Sequence, residues 1–217
     1  MKPEFAVGII GAGAVVRERH LPALAAQPGA RVAWIADPLP QQREQAAALY
    51  GTHVRTVEEP GELLGDTDIV LVATPPAAHA ARVGEALEAG CHVLCEKPLA
   101  LDPGDCRRII EAALEAGRVA SVAFNLRHHP AAQALRAAVR EGRLGRPVTL
   151  RSSSVSPERE GTTGWLGKGA AGGDALWEIG SHHADLWRFV LGGEIVEATG
   201  TVAENVAVLT ARTSDST

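Results

Sequence analysis

Cysteine, an excess of one charge sign and long apolar runs are what this 217-residue chain has little of. Its three cysteines, Cys91, Cys95 and Cys106, are an odd number with no CxxC pair, which argues against a disulfide framework or a zinc ribbon. Cys91 and Cys95 flank His92-Val93-Leu94 at a strand entrance, a poor geometry for a metal. They are expected to be small buried hydrophobes, and no metal is assigned. Net charge is −5 with both signs interspersed, so neither a nucleic-acid nor an anionic-membrane surface is expected. No apolar run is long enough to span a bilayer. The N-terminus enters a strand almost at once and leaves no room for a signal peptide, so a cytoplasmic location is the default expectation. What remains is an ordinary globular composition, 46% apolar and 22% charged, in a length suited to one large domain or one and a half.

Against that background one stretch stands out. Val7-Gly8-Ile9-Ile10-Gly11-Ala12-Gly13-Ala14 is a short apolar run meeting a Gly-x-Gly turn, and a helical pattern follows. Gly11 permits a tight turn, and Gly13, lacking a Cβ, lets a pyrophosphate approach the backbone. Unpaired N–H groups at the helix start, with the positive end of its dipole, can hold the anion. Asp37 then ends a second strand, Val32-Ala33-Trp34-Ile35-Ala36, where a carboxylate can accept from both ribose hydroxyls of an adenosine. The pattern departs from the usual fingerprint at Val16, where Gly or Ala normally allows close helix–strand packing. The chain is therefore expected to bind a dinucleotide.

Residues 5–10, 31–36, 69–73, 92–95 and 119–124 are apolar runs with little alternation, as in strands buried on both faces of a parallel sheet. Helical patterns at about 14–27, 39–49, 77–89 and 103–117 lie between them. Gly51, Gly90 and Gly117 sit at expected C-terminal caps, and Asp102-Pro103 forms an N-cap and N1 pair. Residues 58–65 read as one short extra turn. This alternation predicts a doubly wound α/β domain over 1–124. Beyond it come a helix near 131–141, a strand over 147–154, a loop or lid at 156–173, a helix at 175–191, and strands near 194–203 and 205–211. They predict an incomplete α+β domain over 125–217.

Ligands of doubly wound sheets lie across the carboxyl ends of the strands. Two exits there carry chemistry. Ala73-Thr74-Pro75-Pro76, followed by His79, can hold backbone against a cofactor, or be a rigid turn with Pro76 near N1. Cys95-Glu96-Lys97-Pro98 leads charge out of a buried strand. Lys97 there can serve a substrate oxygen as acid or base with Glu96 orienting it, or be one more solvated lysine. Further on, Glu178, His182 and Asp185 share a helical face. They can transfer protons, bind a substrate hydroxyl, or form a structural surface pair.

Taken in order, these motifs resemble the Gfo/Idh/MocA oxidoreductases, the glucose–fructose oxidoreductase and inositol dehydrogenase group. The matching stretches are Gly11-Ala12-Gly13 with Arg19-His20-Leu21-Pro22-Ala23-Leu24, Asp37-Pro38, Thr74-Pro75-Pro76 with His79, and Gly90 through Leu99. Asn125 with Arg127, and Gly172-Gly173 through Asp185, complete them. The resemblance implies an N-terminal Rossmann domain and a C-terminal domain on an open, mainly antiparallel sheet. It implies hydride transfer between NAD or NADP and a sugar, cyclitol or related polyol, in a homo-oligomer. Gly11, Gly13, Ala14, Val15 and Asp37 would hold the dinucleotide, and Thr74, Pro75 and His79 would line its nicotinamide half. Glu96 and Lys97 would stand between cofactor and substrate, with a cis Lys97–Pro98 bond. Lys97, His182 and Glu178 would be catalytic; Asn125, Arg127, His182 and Asp185 would meet substrate.

The chain departs from the family at Glu178, where Asp is common, and in stopping after a few strands of the second sheet. It is thus either a shortened member or part of a longer reading frame, and a sheet cut there would favour self-association. NAD is preferred, because Asp37 repels a 2′-phosphate and Pro38-Leu39 offers no neighbouring basic group. A non-catalytic nucleotide-binding remnant or redox-sensing regulator, and a glycosidase or lyase using NAD as an internal carrier, are the other readings.

Overall fold

The computed structural model describes residues 4–51, 54–145, 149–154, 176–203 and 206–214. It divides into two compact units, Met1–Ala123 and Phe124–Thr217. The first holds a six-stranded sheet made of β1 (Phe5–Ile10), β2 (Ala30–Ala36), β3 (Arg55–Val57), β4 (Ile69–Val72), β5 (His92–Cys95) and β6 (Ala120–Val122). Its order is β3-β2-β1-β4-β5-β6, and every ladder is parallel. This is the doubly wound order, with its reversal between β1 and β4. The sequence reading misses β3, which pairs Arg55–Val57 with Trp34–Ala36 just before the short turn Gly61–Asp66. Three half-exposed edge residues carry no continuous apolar run to announce a strand.

Both sheet faces are buried, which is why the strands read as unbroken apolar runs. Val7, Ile9, Val32, Ile35 and Leu71 pack on one face with Val16, Leu21 and Ala46, the last from α2 (Pro40–Tyr50). Ile10, Val70, Val72, Val93 and Cys95 pack on the other. They meet Val83 and Leu87 of α3 (His79–Glu88) and Ile109 and Ala113 of α4 (Pro103–Glu115). Each fully buried Val, Ile or Leu contributes about 1.5–3 kcal/mol relative to exposure. Trp34 lies across Gly8, where a Cβ would fall 2.0 Å from its indole, and its Nε1 donates to Thr67 Oγ1 at 2.9 Å. Cys91 and Cys95 sit in this core, and burial pushes both thiols up, as small inert hydrophobes. Asp102 caps α4 as its spacing predicts, accepting from Gly104 N and Asp105 N with Pro103 at N1.

In the second unit, a 3₁₀ turn at Asn125–His128 leads into α5 (Pro130–Arg140). A π-type turn, Leu176–Gly180, runs into α6 (Ser181–Leu191). β7 (Ile195–Ala203) and β8 (Val206–Thr213) form an antiparallel hairpin. Gly180 is buried beside the hairpin; a Cβ there would crowd Leu176 Cδ1 at 3.0 Å and meet Leu209 Cδ1 at an ordinary 3.5 Å. The strand expected over 147–154 is not formed at 149–154, which have no ladder. There the serine hydroxyls turn to α6 instead: Trp187 Nε1 donates to Ser152 Oγ at 2.7 Å, and His183 bonds both Ser152 and Ser154. The lid expected at 156–173 lies outside the described residues.

Candidate functional site

The glycine turn after β1 is shaped as its residues require. Gly11 has φ +96°, and a Cβ on it would lie 2.5 Å from Ala73 O, so only glycine fits between β1 and the β4 exit. Gly13 differs: a Cβ there would meet nothing within 4 Å, leaving open space beside the backbone. Ala14 and Val15 open the helical segment and are exposed. Val16, the departure from the fingerprint, does not intrude. It is fully buried in the core below and begins a π-type turn, Val16–His20, closed by Leu21 N donating to Val16 O. The wider turn accommodates a branched side chain where close packing usually demands glycine.

Asp37 lies across that opening. Its Oδ2 accepts from Ala12 N at 2.8 Å and its Oδ1 from Leu39 N at 2.9 Å. Each carboxylate oxygen keeps a lone pair for a ribose hydroxyl. Two guanidinium groups stand at the same sheet edge. Arg43 Nη1 donates to Asp37 O at 2.8 Å, and Arg17 Nη1 donates to Ala12 O at 2.6 Å and bonds Gln42. Residue order announces neither, because one lies 20 residues before Asp37 and the other at the end of the first turn of α2. An open backbone cradle, a carboxylate pinned beside it and a buried Thr74 Oγ1 lacking a hydrogen-bond partner among the described residues fit a dinucleotide.

The other two exits lie further along the edge. Pro75 is exposed, whereas Pro76 is buried. His79 is fully buried; its Nδ1 lies 2.7 Å from Pro98 O and its Nε2 2.8 Å from Thr74 O. Both ring nitrogens are thereby engaged with main chain rather than with the space where a nicotinamide would lie. Lys97 is partly buried and its bond to Pro98 is cis. Glu96 does more than flank it. Its Oε1 lies 2.7 Å from His20 Nε2, and its Oε2 accepts from Lys97 N at 3.1 Å. Burial alone would push this carboxyl up. Against that, the hydrogen bond and charge of His20, then the N–H and charge of Lys97, hold it below its ordinary 4.5. Sequence spacing gives no sign of the His20 partner, 76 residues from Glu96, although His20 stands in the Arg19-His20-Leu21-Pro22 stretch that resembles the family.

The second unit carries the remaining candidates. Glu178 lies in the π-type turn and His182 in the first turn of α6, with Glu178 Oε1 and His182 Nδ1 both shielded from solvent. Phe124 meets the His182 ring edge-on at 6.0 Å. Asp185, 4% exposed, is held by Arg127 in a two-pronged pair, Nε to Oδ2 and Nη2 to Oδ1. The Arg127 guanidinium also lies over Phe189, 5.5 Å from the ring centroid. Asp185 is thus committed to Arg127, while Asn125 is exposed. Among the described residues no cluster of His, Cys, Asp or Glu is arranged to hold a metal ion, and no helix is long and apolar enough to cross a membrane.

Comparison with known proteins follows this division. Residues 5–124 match the model of the oxidoreductase family with an NAD-binding Rossmann fold, and residues 132–216 match the GFO/IDH/MocA C-terminal domain. The chain is 37% identical over 194 residues to a 1,5-anhydro-D-fructose reductase of Ensifer adhaerens, covering 88% of this chain and 58% of that protein. It is similar in structure to the WlbA dehydrogenase of Bordetella pertussis, solved with NADH and UDP-GlcNAcA. There the TM-score is 0.82 at 26% identity, covering 98% of this chain and 64% of that one. A 3-ketoreductase of Actinomadura kijaniata, solved with NADP and TDP-benzene, gives 0.79 at 30% identity, covering 98% and 66%. The chain spans under two thirds of the length of each. On these matches and the site geometry, it belongs to the GFO/IDH/MocA oxidoreductase family.

Proposed function

We propose that the chain is an NAD(P)-dependent oxidoreductase moving hydride between the nicotinamide and a secondary alcohol of a sugar, cyclitol or related polyol. The observation that carries this reading is the open backbone at Gly13 beside Asp37, on the sheet edge from which Lys97 also emerges. When bound, the cofactor supplies hydride acceptance or donation at nicotinamide C4. Gly11, Gly13, Ala14 and Val15 would admit its pyrophosphate and Asp37 its adenosine ribose, with Thr74, Pro75 and Lys97 along its nicotinamide half. Glu96, anchored on His20, fixes the main chain at Lys97, so the ammonium is presented from a fixed point. Lys97 would polarise the substrate oxygen, and His182, supported by Glu178, would take the hydroxyl proton. Asn125 and Arg127 would meet the substrate hydroxyls, Arg127 through N–H groups outside its pair with Asp185.

In this reading residues 1–124 bind cofactor and 125–217 serve substrate and self-association. A homo-oligomer through the second sheet is supported by the exposed Val196 and Val208 of its hairpin. A cytoplasmic location is supported by three free cysteines. The test follows reduced nicotinamide at about 340 nm with sugars, inositols and their keto forms. Turnover that falls in Lys97→Ala and His182→Ala supports the reading. Tight NAD binding with no absorbance change across the panel instead favours a nucleotide-binding regulator, the reading to which Glu178, one methylene longer than the family's usual Asp, also points.

A further inference from the structure

Two loops leave neighbouring parallel strands at the carboxyl edge, Ala73–Pro76 after β4 and Glu96–Leu99 after β5. The ladder holds them only at their first residues, Ala73 N on Ile10 O and Glu96 N on Val72 O. Beyond these points three positions, Pro75, Pro76 and Pro98, have no N–H to donate. The buried carbonyls there therefore need a side-chain donor. One ring reaches both. The fully buried imidazole of His79 has Nε2 2.8 Å from Thr74 O and Nδ1 2.7 Å from Pro98 O. Two carbonyl oxygens each require an N–H, so both arms close as hydrogen bonds with a proton on each ring nitrogen.

We propose that His79 is a positioning residue, a two-armed clamp that sets the Thr74 loop against the Lys97 loop and so fixes where Lys97 stands. The inference rests on the oxidoreductase reading for its catalytic consequence and on geometry alone for the clamp. His79 begins α3, so the helix that covers the β4–β5 face carries the clamp in its first turn. The Nδ1 arm acts on the peptide next to Lys97. The Nε2 arm acts on Thr74, whose hydroxyl oxygen is buried and has no hydrogen-bond partner among the described residues. The two arms thus serve different parts of the reaction. Loss of the Pro98 arm releases the catalytic lysine; loss of the Thr74 arm releases the wall beside the nicotinamide.

Two substitutions separate the arms. His79→Asn places an amide nitrogen near the Nδ1 position, and His79→Gln places one near Nε2. His79→Gln keeps the Thr74 arm, so it should lower kcat about 10- to 100-fold, the effect of misplacing a catalytic group by about an ångström, with cofactor Kd within about threefold. His79→Asn keeps the Pro98 arm, so it should hold kcat within about threefold and weaken cofactor binding about tenfold. Backbone hydrogen exchange on the apo protein reads the clamp without turnover. His79→Gln should raise exchange at residues 96–101, and His79→Asn at 73–78, with β1 and β2 unchanged. Equal loss of kcat and cofactor affinity in both variants, or exchange rising throughout β4 and β5 in both, overturns the clamp and leaves His79 a core residue. Wild-type protein without turnover on any alcohol overturns the oxidoreductase reading instead, and the exchange pattern then decides the clamp by itself.

Discussion

Two alanine substitutions two residues apart should have opposite consequences. At Gly11 the added methyl meets Ala73 O at 2.5 Å, Ala73 C at 2.7 Å and Thr74 N at 2.9 Å, all main chain. None can swing aside, and the φ of +96° is itself unfavourable for alanine. Strain of about 1–3 kcal/mol and overpacking of similar size, about 1–3 kcal/mol, sum to about 2–6 kcal/mol, a large share of a domain's stability. At Gly13 the methyl meets nothing within 4 Å, so Gly13→Ala should leave apo stability within about 0.5 kcal/mol. It occupies the space through which a pyrophosphate must reach the backbone. Loss of one charge-assisted hydrogen bond, about 1.5–3 kcal/mol, corresponds to Kd rising about 10- to 100-fold. Urea denaturation of the apo proteins and calorimetric titration with NAD measure the two effects separately. Wild-type affinity in Gly13→Ala would refute the cradle, and wild-type stability in Gly11→Ala would refute the packing argument.

Further outcomes follow from the same geometry. Glu96 has a folded pKa below its ordinary 4.5, so its stabilisation is present above that value and lost as pH falls through the folded value. Glu96→Gln should therefore flatten acid unfolding below about pH 4.5; an unchanged denaturation profile there counts against the His20–Glu96 pair. Asp185 is buried and held by Arg127, so Arg127→Ala should cost about 3 kcal/mol in urea midpoint analysis. Recovery should be only partial with lysine, which cannot make both bonds; full recovery would show the two-pronged pair to be unimportant. Thr67→Val leaves the Trp34 N–H buried without its acceptor and should cost about 1–3 kcal/mol, with a changed near-ultraviolet dichroism. Arg17 and Arg43 stand beside Asp37, so Asp37→Ser should move the Kd ratio toward NADP at least about tenfold. If the ratio of NAD to NADP Kd is unchanged by the substitution, those guanidinium groups do not face the ribose.

Much of the architecture was legible because local chemistry and tertiary outcome agree. Strands buried on both faces must be apolar at every position, so β1, β2, β4 and β5 read directly from Val, Ile and Ala runs. Gly11 and Asp102-Pro103 occupy positions whose backbone demands those residue types. The misses share a cause. β3 is an edge strand with no apolar signal, and 149–154 alternates as a strand would but spends its hydroxyls on His183 and Trp187. Both are settled by neighbours distant in sequence.

The candidate site divides along the same line. Sequence alone determined the doubly wound sheet, the glycine turn, the carboxylate at the end of β2 and the placing of Lys97 at a strand exit, because each is local in the chain. Only the tertiary structure decided what those groups touch: His20 on Glu96, two arginines around Asp37, Arg127 on Asp185 and His79 turned inward between two loops. Hydrogen bonds and ion pairs act over a few ångströms whatever the distance along the chain. In this protein their partners lie 5 to 76 residues apart, at separations that no local pattern announces.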